Sequence, residues 1–229
     1  MTANPHDRRS RARRRFLHPA WLGNLRRTSP LSDTWGLDRG TPVDRYYIEQ
    51  FLEQNWQDIH GRVLEIKDSG YTDRFGAGVE GCDVLDIDAS NPKATITADL
   101  ANADAVPADH FNCFVFTQTL QVIYDLRAAL AHAHRILCPG GVLLATVPGI
   151  CRIEQAFYST DYWRFTVASC SRLFGNIFGT EQTTVRGYGN VLSAMAFLTG
   201  MASEELSRRE LDAVDARFPI VITVRAIKK

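Results

Sequence analysis

Four acidic residues stand at intervals suited to holding a nucleoside. Glu65 lies near the end of an apolar run. Asp86 and Asp88 follow 21 and 23 residues later, at the end of a second run, and Asp99 ends a third. A carboxylate at the end of the second strand of an α/β sheet can accept hydrogen bonds from both ribose hydroxyls. Asp99, followed by Leu100, is placed to accept from an adenine amino group, and Thr117 and Gln118 end a fourth run. Taken singly, each acid is as readily a solvated loop residue or a helix cap. Taken together, at strand ends and at this spacing, they point to a bound nucleoside.

A second set of chemically able residues follows a fifth apolar run. Residues 148–165 carry Phe157, Tyr158, Tyr162, Trp163 and Arg164. Aromatic rings stack on sugar or aryl faces, and a guanidinium pairs with a carboxylate or phosphate. The competing reading is a loop plug in which Arg164 pairs with Asp161. Asp161, Tyr158 and Tyr162 are the candidates for a general base. The histidines are poorly placed for that task. His6 and His18 lie near the start, His60 and His110 precede strands at the opposite end of the sheet, and His132 and His134 lie within a helix. No His/Asp cluster suggests a metal site.

These residues need a scaffold, and hydrophobic periodicity supplies one. Residues 62–66, 82–88, 94–99, 111–117 and 142–147 read as five strands, with two more at 183–188 and 219–227. Val43, Tyr47, Ile48, Phe51, Leu52 and Ile59 mark a helix, with Thr41 as its expected N-cap and Pro42 at its first position. Asp125 caps a helix whose stripe is Leu126, Ala129, Leu130, Ala133, Ile136 and Leu137. Thr166 caps another, and residues 190–213 read as a last helical stretch. Strands alternating with helices imply a mostly parallel sheet covered on both faces, with its ligand beyond the carboxyl ends of the strands.

The bulk composition excludes several classes. The chain has 229 residues and no net charge, but residues 1–15 hold six arginines against Asp7 alone. The remainder is therefore weakly acidic, which gives no reason to expect nucleic-acid binding. The arginine-rich head reads as a solvated tail or as a basic arm for phosphates; Arg14-Arg15-Phe16-Leu17 lacks the apolar segment an export signal needs. No apolar run approaches the ~18 residues of a membrane span. Five cysteines without a Cys-x-x-Cys pair imply free thiols in a reducing cytosol rather than disulfides or zinc.

Phe111 to Gln121, followed by a capped helix and Pro139-Gly140-Gly141-Val142-Leu143-Leu144-Ala145-Thr146-Val147-Pro148, resembles the fourth and fifth strands of class I S-adenosylmethionine (SAM) methyltransferases. The acids then resemble the cofactor wall of that family. Its first loop, E-x-G-x-G-x-G, is altered: Lys67 and Ser69 replace the first two glycines and Gly70 remains. Residues 35–48 and Asp161-Tyr162-Trp163-Arg164-Phe165-Thr166 resemble a subgroup often encoded beside glycosyltransferases, over about residues 35–227.

The resemblance implies a Rossmann-like, seven-stranded, mostly parallel α/β sheet with helices on both faces and an antiparallel last strand. Residues 35–229 would form the methyltransferase domain and 1–34 a flexible extension. It implies SAM as cofactor, held by Tyr46, Glu65, Ser69, Gly70, Asp86, Asp88, Asp99, Leu100, Thr117 and Gln118, with no metal. Trp163, Arg164 and Tyr188 would meet a small-molecule or saccharide acceptor, with O-methylation as the expected reaction in the cytoplasm. A scaffold that has lost methyl transfer and a SAM-fold enzyme of another natural-product reaction are the alternatives. Acceptor identity and oligomeric state are not legible.

Overall fold

The computed structural model describes residues 13–17 and 23–229. His6, His18, Arg8, Arg9 and Arg11 lie outside them. The chain divides into two units, Met1–Pro30 and Leu31–Lys229. In the first, residues 13–17 are helical and Gly23–Leu25 form a 3-10 turn. The second begins ahead of the expected Trp35 because Leu31 donates its N–H to Thr199 and Ser32 is buried against Gly200.

The larger unit contains β1 (Gly61–Ile66), β2 (Val79–Asp86), β3 (Ile96–Thr97), β4 (Phe111–Thr117), β5 (Leu137–Pro148), β6 (Thr183–Tyr188) and β7 (Val221–Ile227). They form one seven-stranded sheet in the order β3-β2-β1-β4-β5-β7-β6. The first five strands run parallel, and β7 is antiparallel to both β5 and β6. The helices are α1 (Val43–Gln54), α2 (Gly70–Phe75), α3 (Leu126–Ile136), α4 (Val167–Phe178), α5 (Val191–Thr199) and α6 (Arg208–Asp212).

Side chains alternate across a strand, so adjacent residues serve opposite layers. Leu64, Phe114 and Leu143 are in register and pack with Leu130 and Ile136 of α3 and Phe174 of α4. Their neighbours Val63, Cys113 and Val142 face the other way, toward Tyr47, Ile48 and Leu52 of α1 and Phe197 of α5. Burying each large side chain of this kind contributes ~1.5–3 kcal/mol. No helix among the described residues is long and apolar enough to cross a membrane.

Several boundaries differ from the sequence expectation. Thr41 does not cap α1: its N–H and Oγ1 donate to Glu204, and the helix starts at Val43 after Pro42. Strand β5 starts at Leu137 rather than Val142, because Pro139-Gly140-Gly141 forms a bulge inside it. A Cβ on Gly141 would lie 2.8 Å from the carbonyl oxygen of Cys138, so only glycine fits there. The helix expected over 190–213 breaks in two, since Gly200 adopts φ +77° and ends α5. Asp125 and Thr166 cap α3 and α4 as expected.

Candidate functional site

The parallel strands end on one rim, and the connection leaving β1 is the first element of the site. Lys67 holds φ +72°, the left-handed region that favours glycine. The loop thus carries a lysine in a glycine-like conformation. Its carbonyl accepts the Asn91 side-chain amide at 2.8 Å, and that amide also donates to Asp86 at 2.7 Å. Glu65 is almost fully buried, and its carboxylate accepts the backbone N–H groups of Tyr71 (3.0 Å) and Thr72 (2.7 Å). It anchors the first turn of α2. Burial pushes the Glu65 carboxyl up, and these hydrogen bonds partly offset that shift. Ser69 donates to Asp73, and the Gly70 N–H donates to Asp68.

Beyond the ends of β1 to β4 lies a cavity of about 520 Å³. Its walls include Ile66, Leu85, Leu100 and Ile123, and Asp86 and Asp99 stand on its rim. The volume falls within the ~300–1,000 Å³ usual for small-molecule sites. One Asp86 oxygen accepts the Asp88 N–H (3.0 Å) and the other accepts Asn91. A carboxylate offers about four lone-pair positions, so Asp86 retains acceptor capacity. Among the described residues, the Asp99 carboxylate accepts only the Ala101 N–H, at 2.9 Å. The combination of apolar walls and two rim acids suits a nucleoside with a flat base and a diol.

A smaller cavity of about 260 Å³ adjoins it, the two sharing Val122 and Phe157 as walls. Trp35, Pro42 and Phe197 give it apolar surface. Most of its charged groups are already engaged. Arg164 forms a two-toothed ion pair with Asp161 at 2.5 and 2.8 Å and also donates to the carbonyls of Cys151, Arg152 and Trp163. Arg152 donates to the carbonyls of Ser32 and Asp33 and lies 4.1 Å over the Trp35 ring. Glu154 accepts the Trp35 indole N–H. Arg45 donates to the Tyr71 hydroxyl at 2.7 Å.

Asp44 and Gln121 are exceptions. Asp44 lines the cavity from the first turn of α1, forms no ion pair among the described residues and accepts only the N–H of Arg45. Burial pushes its carboxyl up. Gln121 donates to the Gln118 carbonyl, while its Oε1 is buried without a partner. The Cys151 thiol, pushed up to about 12 by burial, stays protonated and is no nucleophile at neutral pH.

The structure gathers part of the expected set. Asp86, Asp99, Leu100 and Tyr162 line the larger cavity; Gln118, Asp161 and Arg164 line the smaller. The others lie elsewhere. Asp88 turns into its own loop, accepting Ser90. Thr117 lines neither cavity; its carbonyl accepts Thr119. Tyr46 points away and donates to Asp212 at 2.6 Å, burial and that acid raising its phenol to about 12. Trp163 packs on Tyr124 and donates to the Ile123 carbonyl. Tyr188 packs against Tyr47 on the far side of α1. Tyr158 is 77% exposed and lines neither cavity. Asp161, one of the three expected bases, is held in its ion pair with Arg164. Sequence reading assigned Asp44 only to a helix start; its place one turn before Ile48, on the apolar stripe, was the available signal.

No protein-family model matches the chain, and no curated protein matches it. Solved structures do. A Burkholderia thailandensis 1,6-didemethyltoxoflavin-N1-methyltransferase, bound to its substrate and S-adenosylhomocysteine, aligns over 100% of this chain and 92% of its own at TM-score 0.54 and 12% identity. A SAM-dependent methyltransferase from Mesorhizobium loti aligns over 84% and 100% at TM-score 0.52 and 15% identity. The cyclase SpnF aligns over 83% of each chain at TM-score 0.54 and 12% identity. The chain therefore has the fold of class I SAM-dependent methyltransferases.

Proposed function

We propose that this chain is a SAM-dependent methyltransferase that O-methylates a sugar or a glycosylated small molecule. The observation that carries the reading is the acid-rimmed apolar cavity at the ends of β1 to β4, with a second cavity beside it. Asp86 would hold the ribose hydroxyls and Asp99 the adenine amino group, with Leu100, Ile66 and Ile123 packing on the base. When bound, the cofactor supplies a methyl group on a charged sulfonium, already activated for in-line displacement. The smaller cavity would position the acceptor, and positioning supplies much of the rate. Val122 and Phe157 line both cavities, and Tyr162 lines the larger one. The sugar preference rests on the subgroup resemblance of residues 35–48 and 161–166.

The residues present fit the cofactor at its nucleoside end. At the methionine end, Lys67 keeps the backbone conformation that the family's glycine would provide. Because SpnF shares the fold and is a cyclase, binding and methyl transfer need separate tests. Calorimetric titration with SAM and S-adenosylhomocysteine should give micromolar affinity that Asp99→Ala weakens. Trideuteromethyl-SAM incubated with monosaccharides and glycosides should then give products 17 mass units heavier, roughly one CD3 in place of one H. Absence of cofactor binding at millimolar ligand would overturn the reading.

A further inference from the structure

The polar groups of the smaller cavity are unevenly satisfied, and the imbalance has a sign. Its three arginines all have internal partners. Arg164 is shared among Asp161 and three carbonyls, Arg152 between two carbonyls and the Trp35 face, and Arg45 goes to Tyr71. Two of its three acids are engaged as well, Asp161 with Arg164 and Glu154 with Trp35. Arg164 thereby spends all five of its N–H donors, while the Asp44 carboxylate and the buried Gln121 Oε1 keep acceptor capacity that no described residue uses. A buried acceptor without a donor costs ~1–3 kcal/mol, so a ligand that donates there is favoured and one that brings further acceptors is penalised.

We infer that the smaller cavity selects an uncharged or cationic hydrogen-bond donor, an alcohol or an amine, over an anion, and that Asp44 is the side chain that discriminates. This deepens, and rests on, the reading of that cavity as the acceptor side. It disfavours phosphorylated and carboxylated acceptors beside Arg164, whose donors are all spent, and beside the Asp44 carboxylate, which repels them. Trp35, Phe157 and Phe197 supply rings for the ligand's apolar face. In methyl transfer to a hydroxyl, the bond from acceptor oxygen to methyl carbon forms as the carbon–sulfur bond breaks. Asp44 takes the proton that the oxygen releases. The neutral Cys151 thiol and the Arg164–Asp161 pair on the facing loop, and Arg45 and Tyr71 on the helix side, leave, with Glu154 held by Trp35, no other free carboxylate among the described residues to compete for it.

The test uses three probes of one shape: benzylamine, benzyl alcohol and benzoate. Their binding is measured by ligand-observed NMR at pH 7.5, with and without S-adenosylhomocysteine. The expected order is benzylammonium first, benzyl alcohol second and benzoate at least tenfold weaker than either. Asp44→Asn should remove the lead of benzylammonium while leaving benzyl alcohol within about threefold. Gln121→Leu, a second variant that leaves the ion pairs alone, should weaken benzyl alcohol severalfold. Benzoate binding as tightly as benzyl alcohol, an unchanged order in Asp44→Asn, or no binding of any probe overturns the inference. Failure of the wild type to bind S-adenosylhomocysteine removes the proposed function instead, and the probe order still judges the cavity.

Discussion

The two cavities share Val122 and Phe157 but are made of different material. The larger is bounded mainly by strand ends and the turns just beyond them. Two of its acids, Asp86 and Asp99, keep unused acceptor positions. The smaller is assembled from the segment before α1, the first turn of α1, the turn after β4 and the long connection after β5. There the charged side chains mostly serve the protein, tying loops together around a small opening. The same residue types therefore mean different things in the two places. An arginine or aspartate on a loop that must hold its shape is first a strut, and only the group left unpaired is free for chemistry.

Breaking a strut should have the largest effect. Arg164→Ala leaves Asp161, whose side chain is 6% exposed, without its counter-charge. Stability should fall by ~3 kcal/mol, because an uncompensated buried charge is costly. For a chain of this size that is a drop in Tm of roughly 6–12 °C, read by thermal unfolding. A loss below about 1 kcal/mol would mean that the pair is no strut.

Filling the larger cavity should spare the fold and stop binding. Ala101→Trp places a ring in the cavity that Leu100 and Asp99 border, and affinity for S-adenosylhomocysteine should fall about a hundredfold, ~2.7 kcal/mol. Melting should move little, since the residue lines an opening rather than the core. Removing one rim acceptor should cost less: Asp86→Ala should weaken the same affinity about tenfold, ~1.4 kcal/mol, in calorimetry. Equal affinities for Asp86→Ala and wild type would sever the larger cavity from ribose binding.

Asp44 gives the comparison a pH signature. Its folded carboxyl is raised by burial, so the native state holds this proton at pH values where the unfolded chain has released it. The contribution to stability is therefore full below the ordinary carboxylate value and lost as pH rises through the raised one. Asp44→Asn should accordingly be the more stable protein at pH 7, by on the order of 1 kcal/mol, with little difference near pH 4. Urea unfolding at the two pH values reads this directly. In catalysis the sign reverses, since Asp44 accepts a proton only when ionised, and turnover should fall on acidification through the same value. The smallest effect is expected at Lys67. Lys67→Gly should raise stability by ~0.5–1 kcal/mol, because relief of a left-handed side-chain residue exceeds the backbone entropy that glycine adds.

Much of the fold was legible because its signals are local. A strand repeats every two residues and a helix every 3.6, so β1, β4, α3 and α4 could be placed from their own residues. The rim acids followed, since a residue at the end of such a strand points to the open edge. Where boundaries shifted, a longer-range interaction had intervened. Glu204 took Thr41 from its capping role, and the Pro139-Gly140-Gly141 bulge let β5 begin early beside Phe111.

The smaller cavity was harder to read for the same reason. Nothing local distinguishes Asp161, which is paired, from Asp44, which is not. Arg152 and Trp35 are more than a hundred positions apart, yet they close one wall together. Tyr46 looked well placed until α6 brought Asp212 to it, and Tyr188 until the sheet turned it toward Tyr47. By itself the sequence determined the order of elements, the sheet class and the placing of acids at the strand ends, all products of short-range periodicity. Tertiary structure alone decided which polar groups are satisfied by the protein and which stay open, because a hydrogen-bond partner is chosen by distance in space and not along the chain.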